Sequence, residues 1–191
     1  MRTYVVAVVV LIASVWSSPA VADDPQIYSD QDLIEAALEV CQVPEEKAAG
    51  AANLARALLS LEDAADAPEQ YRGLILARAC SEARFDASAV GDNGKAVGLM
   101  QFHGWVRSYG VDRLDPIESV RFHLERVRQM IPKVKAACGR QTEASAWLSA
   151  WVRSIRAPGK AKCQSRPLEI KVLARMHQIA DARRRGVADG R

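Results

Sequence analysis

Glu82 is the residue in this chain best suited to giving and taking a proton. Tyr71, Ile75, Ala79 and Glu82 recur at intervals of four, four and three, so they share one face of a helix. That face is apolar, which sets the acid against the core rather than into water. Loss of hydration disfavours a carboxylate and raises its pKa, and a glutamate so placed keeps its proton near neutral pH and serves as a general acid. A plainer reading pairs Glu82 with Arg78, one turn back, or with Arg84. The residues that follow bear on the choice. A stretch rich in turn formers contains Gly91-Asp92-Asn93-Gly94, and Gly98-Leu99-Met100-Gln101 comes next. Asn-Gly suits positive φ, so this region admits a short hairpin and nothing longer. Asp92 has two readings: it positions a reacting water, or it caps its own turn as an Asx residue.

The elements that must position these residues are helical. Ser29 is an N-cap for a helix through Cys41, closed off by Pro44, and an Ala-rich helix follows from Glu45 to Asp63. Pro68 opens the helix that ends at Glu82. Asp115-Pro116-x-Glu118 combines an N-cap, a first-turn proline and a capping-box acid. The stripe behind it runs through Ile117, Val120, Leu124, Val127, Ile131, Val134 and Cys138, with a kink expected at Pro132 and a stop at Gly139. Thr142 starts a helix that buries Trp147, Leu148, Trp151 and Ile155 and ends at Pro158-Gly159. A last helix begins near Pro167, buries Leu168, Val172, Met176 and Ile179, and ends in Arg183-Arg184-Arg185-Gly186. The expected fold is mainly α, with an irregular or β-like loop region around 86–98.

The chain has 191 residues. Arg2, the apolar run Val5 to Val15 and the small residues Ala20-Val21-Ala22 have the form of a secretory signal peptide over 1–22. No other stretch is apolar enough to span a bilayer, so no stable membrane insertion is expected after cleavage. Export places Cys41, Cys80, Cys138 and Cys163 in an oxidising compartment, where two disulfides are expected. Four cysteines allow three connectivities. Cys41–Cys80 and Cys138–Cys163 are preferred because each pair ends or joins neighbouring helices. No CxxC or HxxxH spacing supports a metal site, and none is expected at His103 or His123. Residues 23–94 carry 5 Lys+Arg against 15 Asp+Glu, and residues 95–191 carry 20 against 8. The basic half suits an anionic partner, with wall polymers or a membrane surface favoured over nucleic acid outside the cytoplasm; alternatively the two halves attract each other. Trp105, Tyr109 and Trp147 are candidates for sugar stacking, with core packing the plainer role for each.

Glu82, Phe85, Ala89, Gly94, Ala96 and Gly98-Leu99-Met100-Gln101 together resemble the signature of lysozyme-like lytic transglycosylases. The similarity is tight from Leu74 to Phe102 and weaker to Ile155; residues 23–65 lie outside it. It implies an N-terminal helical extension over 23–66 and a lysozyme-like domain over 67–191. It also implies peptidoglycan as substrate, no cofactor, and a monomer exported to the periplasm or beyond. In that reading Glu82 acts as acid and then base at the MurNAc-β-1,4-GlcNAc bond, and the sugar's own 6-hydroxyl closes a 1,6-anhydro ring. Gly98, Leu99, Met100 and Gln101 would line the sugar cleft, and Trp151 would stack on sugar or support Glu82.

Three departures qualify the resemblance. Ala83 stands where the transglycosylases carry serine. Ala150-Trp151-Val152-Arg153-Ser154 aligns with their A-Y-N-A-G segment but lacks the tyrosine hydroxyl. Gly91-Asp92 looks like goose-type lysozymes, which hold a water with an aspartate there. Those enzymes carry another aspartate two residues beyond the glutamine, where this chain has His103. The alternatives to the transglycosylase are therefore a hydrolase using Glu82 and Asp92, and a wall-binding or secretion-associated protein without turnover.

Overall fold

The computed structural model describes residues 28–139, 142–154, 163 and 167–189. The expected signal peptide, Ile155 and the Pro158-Gly159 stop lie outside them. Among the described residues six α-helices make the body: α1 Asp30–Val40, α2 Glu45–Asp63, α3 Leu74–Ala83, α4 Pro116–Cys138, α5 Glu143–Ser154 and α6 Glu169–Asp189. The β component is a two-stranded antiparallel hairpin, β1 Val90–Gly91 and β2 Ala96–Val97, with Val90 opposite Val97. A 3-10 turn over Asp92–Gly94 joins the strands, and another covers Gly104–Tyr109. The chain is mainly α. Among the described residues no helix is long and apolar enough to cross a membrane.

The caps follow the local sequence. Ser29 and Asp32 form a reciprocal capping box at the start of α1. Asp115 Oδ1 accepts from Ile117 N at 2.8 Å and Glu118 N at 2.9 Å, with Pro116 in the first turn of α4. Glu118 does not close the expected box; its Oε2 accepts from Asp112 N instead. α4 runs continuously through Pro132 to Gly139, whose φ of 71° ends it.

One core unites the six helices, built on Leu33, Ile34, Leu58, Leu59, Leu74, Ile75, Leu76, Trp151 and Met176. α3 lies at its centre, contacting α1, α2 and α6. The disulfides join the preferred pairs, Cys41–Cys80 and Cys138–Cys163. The first fastens the end of α1 to α3, two residues before Glu82. The triple-arginine segment does not end α6. Arg183 pairs with Glu35 and Glu39, and Arg184 with Asp32. The acidic and basic halves therefore do attract each other along the α1–α6 contact. Leu168 is exposed rather than buried.

The helix expected from Pro68 to Glu82 is interrupted. A 3-10 turn covers Glu69–Tyr71, and α3 begins anew after Gly73, at φ 91°. Glycine cannot cap this helix through a side chain, and Glu62 of α2 does so in its place. Its carboxyl accepts from Gly73 N at 2.6 Å and Ile75 N at 2.9 Å while fully buried. Burial pushes Glu62 up from 4.5 to about 7, against the downward pull of the two N–H donors. Between those values the folded chain binds a proton that the unfolded chain has released. The contribution is therefore complete below 4.5 and lost as pH rises through 7. At about 1.4 kcal/mol per pKa unit it is on the order of 3 kcal/mol. Denaturant midpoints should fall between pH 5 and 8 in the wild type and fall less in Glu62→Gln, which cannot titrate; equal slopes would exclude Glu62 as the source.

Candidate active site

α3 presents its C-terminal end to the hairpin. Arg84 and Phe85 turn the chain out of the helix at φ 48° and 62°, and a cleft of about 300 Å³ opens between helix end and loop. Arg78, Glu82, Asp92, Ala96, Gln101 and His103 line it. Glu82, the expected acid, and Asp92, the candidate for positioning water or capping its turn, therefore share one cavity.

Glu82 is not in the dry setting that the apolar stripe suggested. Its side chain is 34% exposed and lies 3.2 Å from Arg78 Nη1. The stripe stops one position early, because the loop recedes from the helix end and leaves the cleft. Arg78 is the buried member, at 4% exposure. Its Nη1 also pairs with Glu169 Oε1, and its Nη2 donates to Met100 O at 3.0 Å. The guanidinium thus ties together α3, the first turn of α6 and the loop, with Glu82 as its solvent-side partner. Glu169 is itself buried.

The loop is held by its own polar groups. Arg113 Nη1 donates to Lys95 O at 3.0 Å and Phe102 O at 2.8 Å. Gln101, at φ 48°, donates from Nε2 to Gly98 O at 2.8 Å and Ala89 O at 3.1 Å. These bonds make Gln101 a brace for the loop as well as a wall of the cleft. Gly98 is required for a different reason than close approach to a sugar. A Cβ there would lie 1.7 Å from Arg113 O, on a backbone at φ 78°.

Leu99, Met100 and Trp151 do not reach the cleft surface: each is fully buried. They are corrected from sugar contacts to core residues. The tight Gly98–Phe102 turn sends Leu99, Met100 and Phe102 inward, and Gln101, at φ 48°, is the side chain of this turn that faces the cavity. Trp151 stacks on Trp147 at 5.2 Å and meets His123 edge-on at 4.3 Å, so it supports the region behind Arg78 rather than touching sugar. Trp147 is buried too. Trp105 and Tyr109 pack with Phe122, and the Arg126 guanidinium lies 4.9 Å from the Trp105 ring.

Three polar residues of this region gave no signal in the sequence. Glu169 is 91 residues from Arg78. His123 lies fully buried on α4, its pKa driven well below 6.5 by desolvation and then by Arg78 and Arg126, so it is neutral. Ser154 Oγ donates to Trp151 O at 2.7 Å and lies 2.9 Å from His123 Nδ1; with the hydroxyl proton so engaged, Nδ1 is assigned as the donor to Oγ. His103 Nε2 lies 2.9 Å from Asp92 Oδ2. Among the described residues no group of three or more His, Cys, Asp and Glu side chains could hold a metal ion.

No family model, curated protein or solved structure matches the chain.

Removing Arg78 strands the Glu169 carboxylate in the core. Arg78→Met should lower stability by roughly 3–5 kcal/mol, the cost typical of breaking a buried ion pair. Arg78→Met with Glu169→Leu should recover most of that loss, because no unpaired charge remains. Urea denaturation of the two variants measures this, and a single variant within about 1 kcal/mol of wild type would show that the pair is not a structural tie.

Proposed function

We propose that this chain is a muramidase that cleaves the glycan strands of peptidoglycan, with Glu82 as general acid. The observation that carries the reading is the convergence of Glu82, Asp92 and Gln101 on one open cleft. That convergence supports a site in which a proton donor, a second carboxyl and an amide surround a sugar ring. The resemblance of 74–102 to lysozyme-like lytic transglycosylases supplies the substrate class, and the export signals and disulfides are compatible with work outside the cytoplasm.

Glycosidic cleavage needs a proton on the leaving oxygen and stabilisation of an oxocarbenium-like sugar. Arg78 holds one oxygen of Glu82, and the exposed part of the side chain faces solvent in the cleft. A bound sugar would cover that part, displace its water and bring the glycosidic oxygen to the carboxyl. The sugar cation then has two fates. In the lytic course its own 6-hydroxyl closes the 1,6-anhydro ring and Glu82 alone suffices, first giving a proton and later taking one. In the hydrolytic course a water attacks. One observation favours the second course: the Asp92 carboxylate bonds to His103 and to no backbone N–H of its own turn. The turn-capping role that would have made it a bystander is therefore unfilled.

Glu82→Gln keeps the size of the side chain and removes the proton. Wall lysis should fall by at least about 10² while binding to purified walls persists, since general acid catalysis contributes 10²–10⁴. Lysis within about tenfold of wild type would refute the assignment of Glu82. A wild type that binds walls without cutting them would leave the binding-protein reading in its place.

A further inference from the structure

We propose that His103 is the base that activates the attacking water, its Nε2–H held by Asp92 and its Nδ1 receiving the proton. This rests on the muramidase reading and assigns the other half of that reaction.

The geometry begins with the pair itself. His103 Nε2 lies 2.9 Å from Asp92 Oδ2. An ionised carboxylate can only accept, so Nε2 carries the proton and the neutral ring has its lone pair on Nδ1. Asp92 thereby fixes the tautomer and opposes the positive charge that the ring gains when it takes a proton. Among the described residues His103 is the carboxylate's one hydrogen-bond partner. An ion pair on an open surface would have little consequence, but this pair lines the cavity that holds Glu82. Its side chains are 50% and 66% exposed, so water reaches them.

The backbone beneath the pair is built to hold it. Asp92, Asn93 and Gln101 all sit in the left-handed region, at φ 47°, 55° and 48°, without being glycine. Such positions are costly for a side chain with a Cβ and persist where the surroundings over-determine them. Gly91 is over-determined in its own way, since a Cβ there would lie 2.4 Å from Gln101 Oε1. Gln101 is bonded in turn to Ala89 O and Gly98 O. The left-handed turn directs the Asp92 side chain towards His103 instead of back onto its own backbone.

The step balances without an added reagent. Glu82 gives its proton to the glycosidic oxygen, and the C1–O bond breaks with its electron pair going to the departing sugar. Water oxygen bonds to C1 and its proton passes to His103 Nδ1, making the imidazolium that Asp92 stabilises. Solvent then takes the proton from His103 and returns one to Glu82. The product is a hydrated reducing end.

His103→Gln tests the assignment, because its amide can still donate to Asp92 but cannot take a proton at the Nδ1 position. Wall digests of wild type, His103→Gln, His103→Ala and Glu82→Gln would be compared by mass spectrometry, with folding checked by thermal melts. Hydrated ends should dominate the wild-type digest. His103→Gln should form them at least about 10²-fold more slowly, leaving 1,6-anhydro ends as the main product. Added imidazole should restore hydrated ends to His103→Ala. A wild type that yields only anhydro ends, or a His103→Gln variant within about threefold of the wild-type hydrated rate, overturns the role of His103 while Glu82→Gln remains inactive. An active Glu82→Gln variant, or a wild type that leaves walls intact, overturns the muramidase reading and this assignment with it.

Discussion

A guanidinium cannot shed its charge at any pH a protein survives, so burying one commits the surrounding structure to partners. Arg78 is such a group. It sits at the centre of the fold and collects a carboxylate from α6, a carbonyl from the loop and, at its outer edge, Glu82. Each partner belongs to a different part of the chain. The position of the candidate acid is thus set by a requirement of the core, and core and cleft cannot vary independently.

The same helix is held along its whole length. Glu62 caps its first turn from α2, Cys80 bonds it to α1, and Arg78 fastens its last turns to α6 and the loop. The loop has an independent anchor in Arg113, which grips it at Lys95 and Phe102. Both walls of the cleft are therefore braced by buried polar groups, while three of the side chains that line it, Glu82, Asp92 and His103, stay reachable by solvent. Preorganisation of this kind lets groups meet a substrate without first being ordered.

What could be read from the sequence was what local rules decide. The caps at Ser29 and Asp115, the stripe of α4, the Asn-Gly turn and the glutamate before it all act over a few residues, and the structure has them where spacing put them. The break at Gly73 was visible as a glycine but not as a break, because its cap comes from a glutamate eleven residues earlier. The resemblance puts Met100 on a sugar ring and Trp151 on sugar or behind Glu82, and only packing shows that both face inward. Arg78–Glu169 and Asp92–His103 are tertiary pairings between residues that look like ordinary surface charges. A period of 3.6 says which face a residue shares, not who stands opposite.

Arg78 and its main counter-ion are separated by almost half the chain. A ribosome makes α3 long before α6, so for most of synthesis the arginine has no carboxylate from the last helix to meet. Closing a contact of such sequence separation carries a loop-entropy cost that other packing must offset. A chain cut short anywhere before Glu169 lacks the charge that seats its central cation.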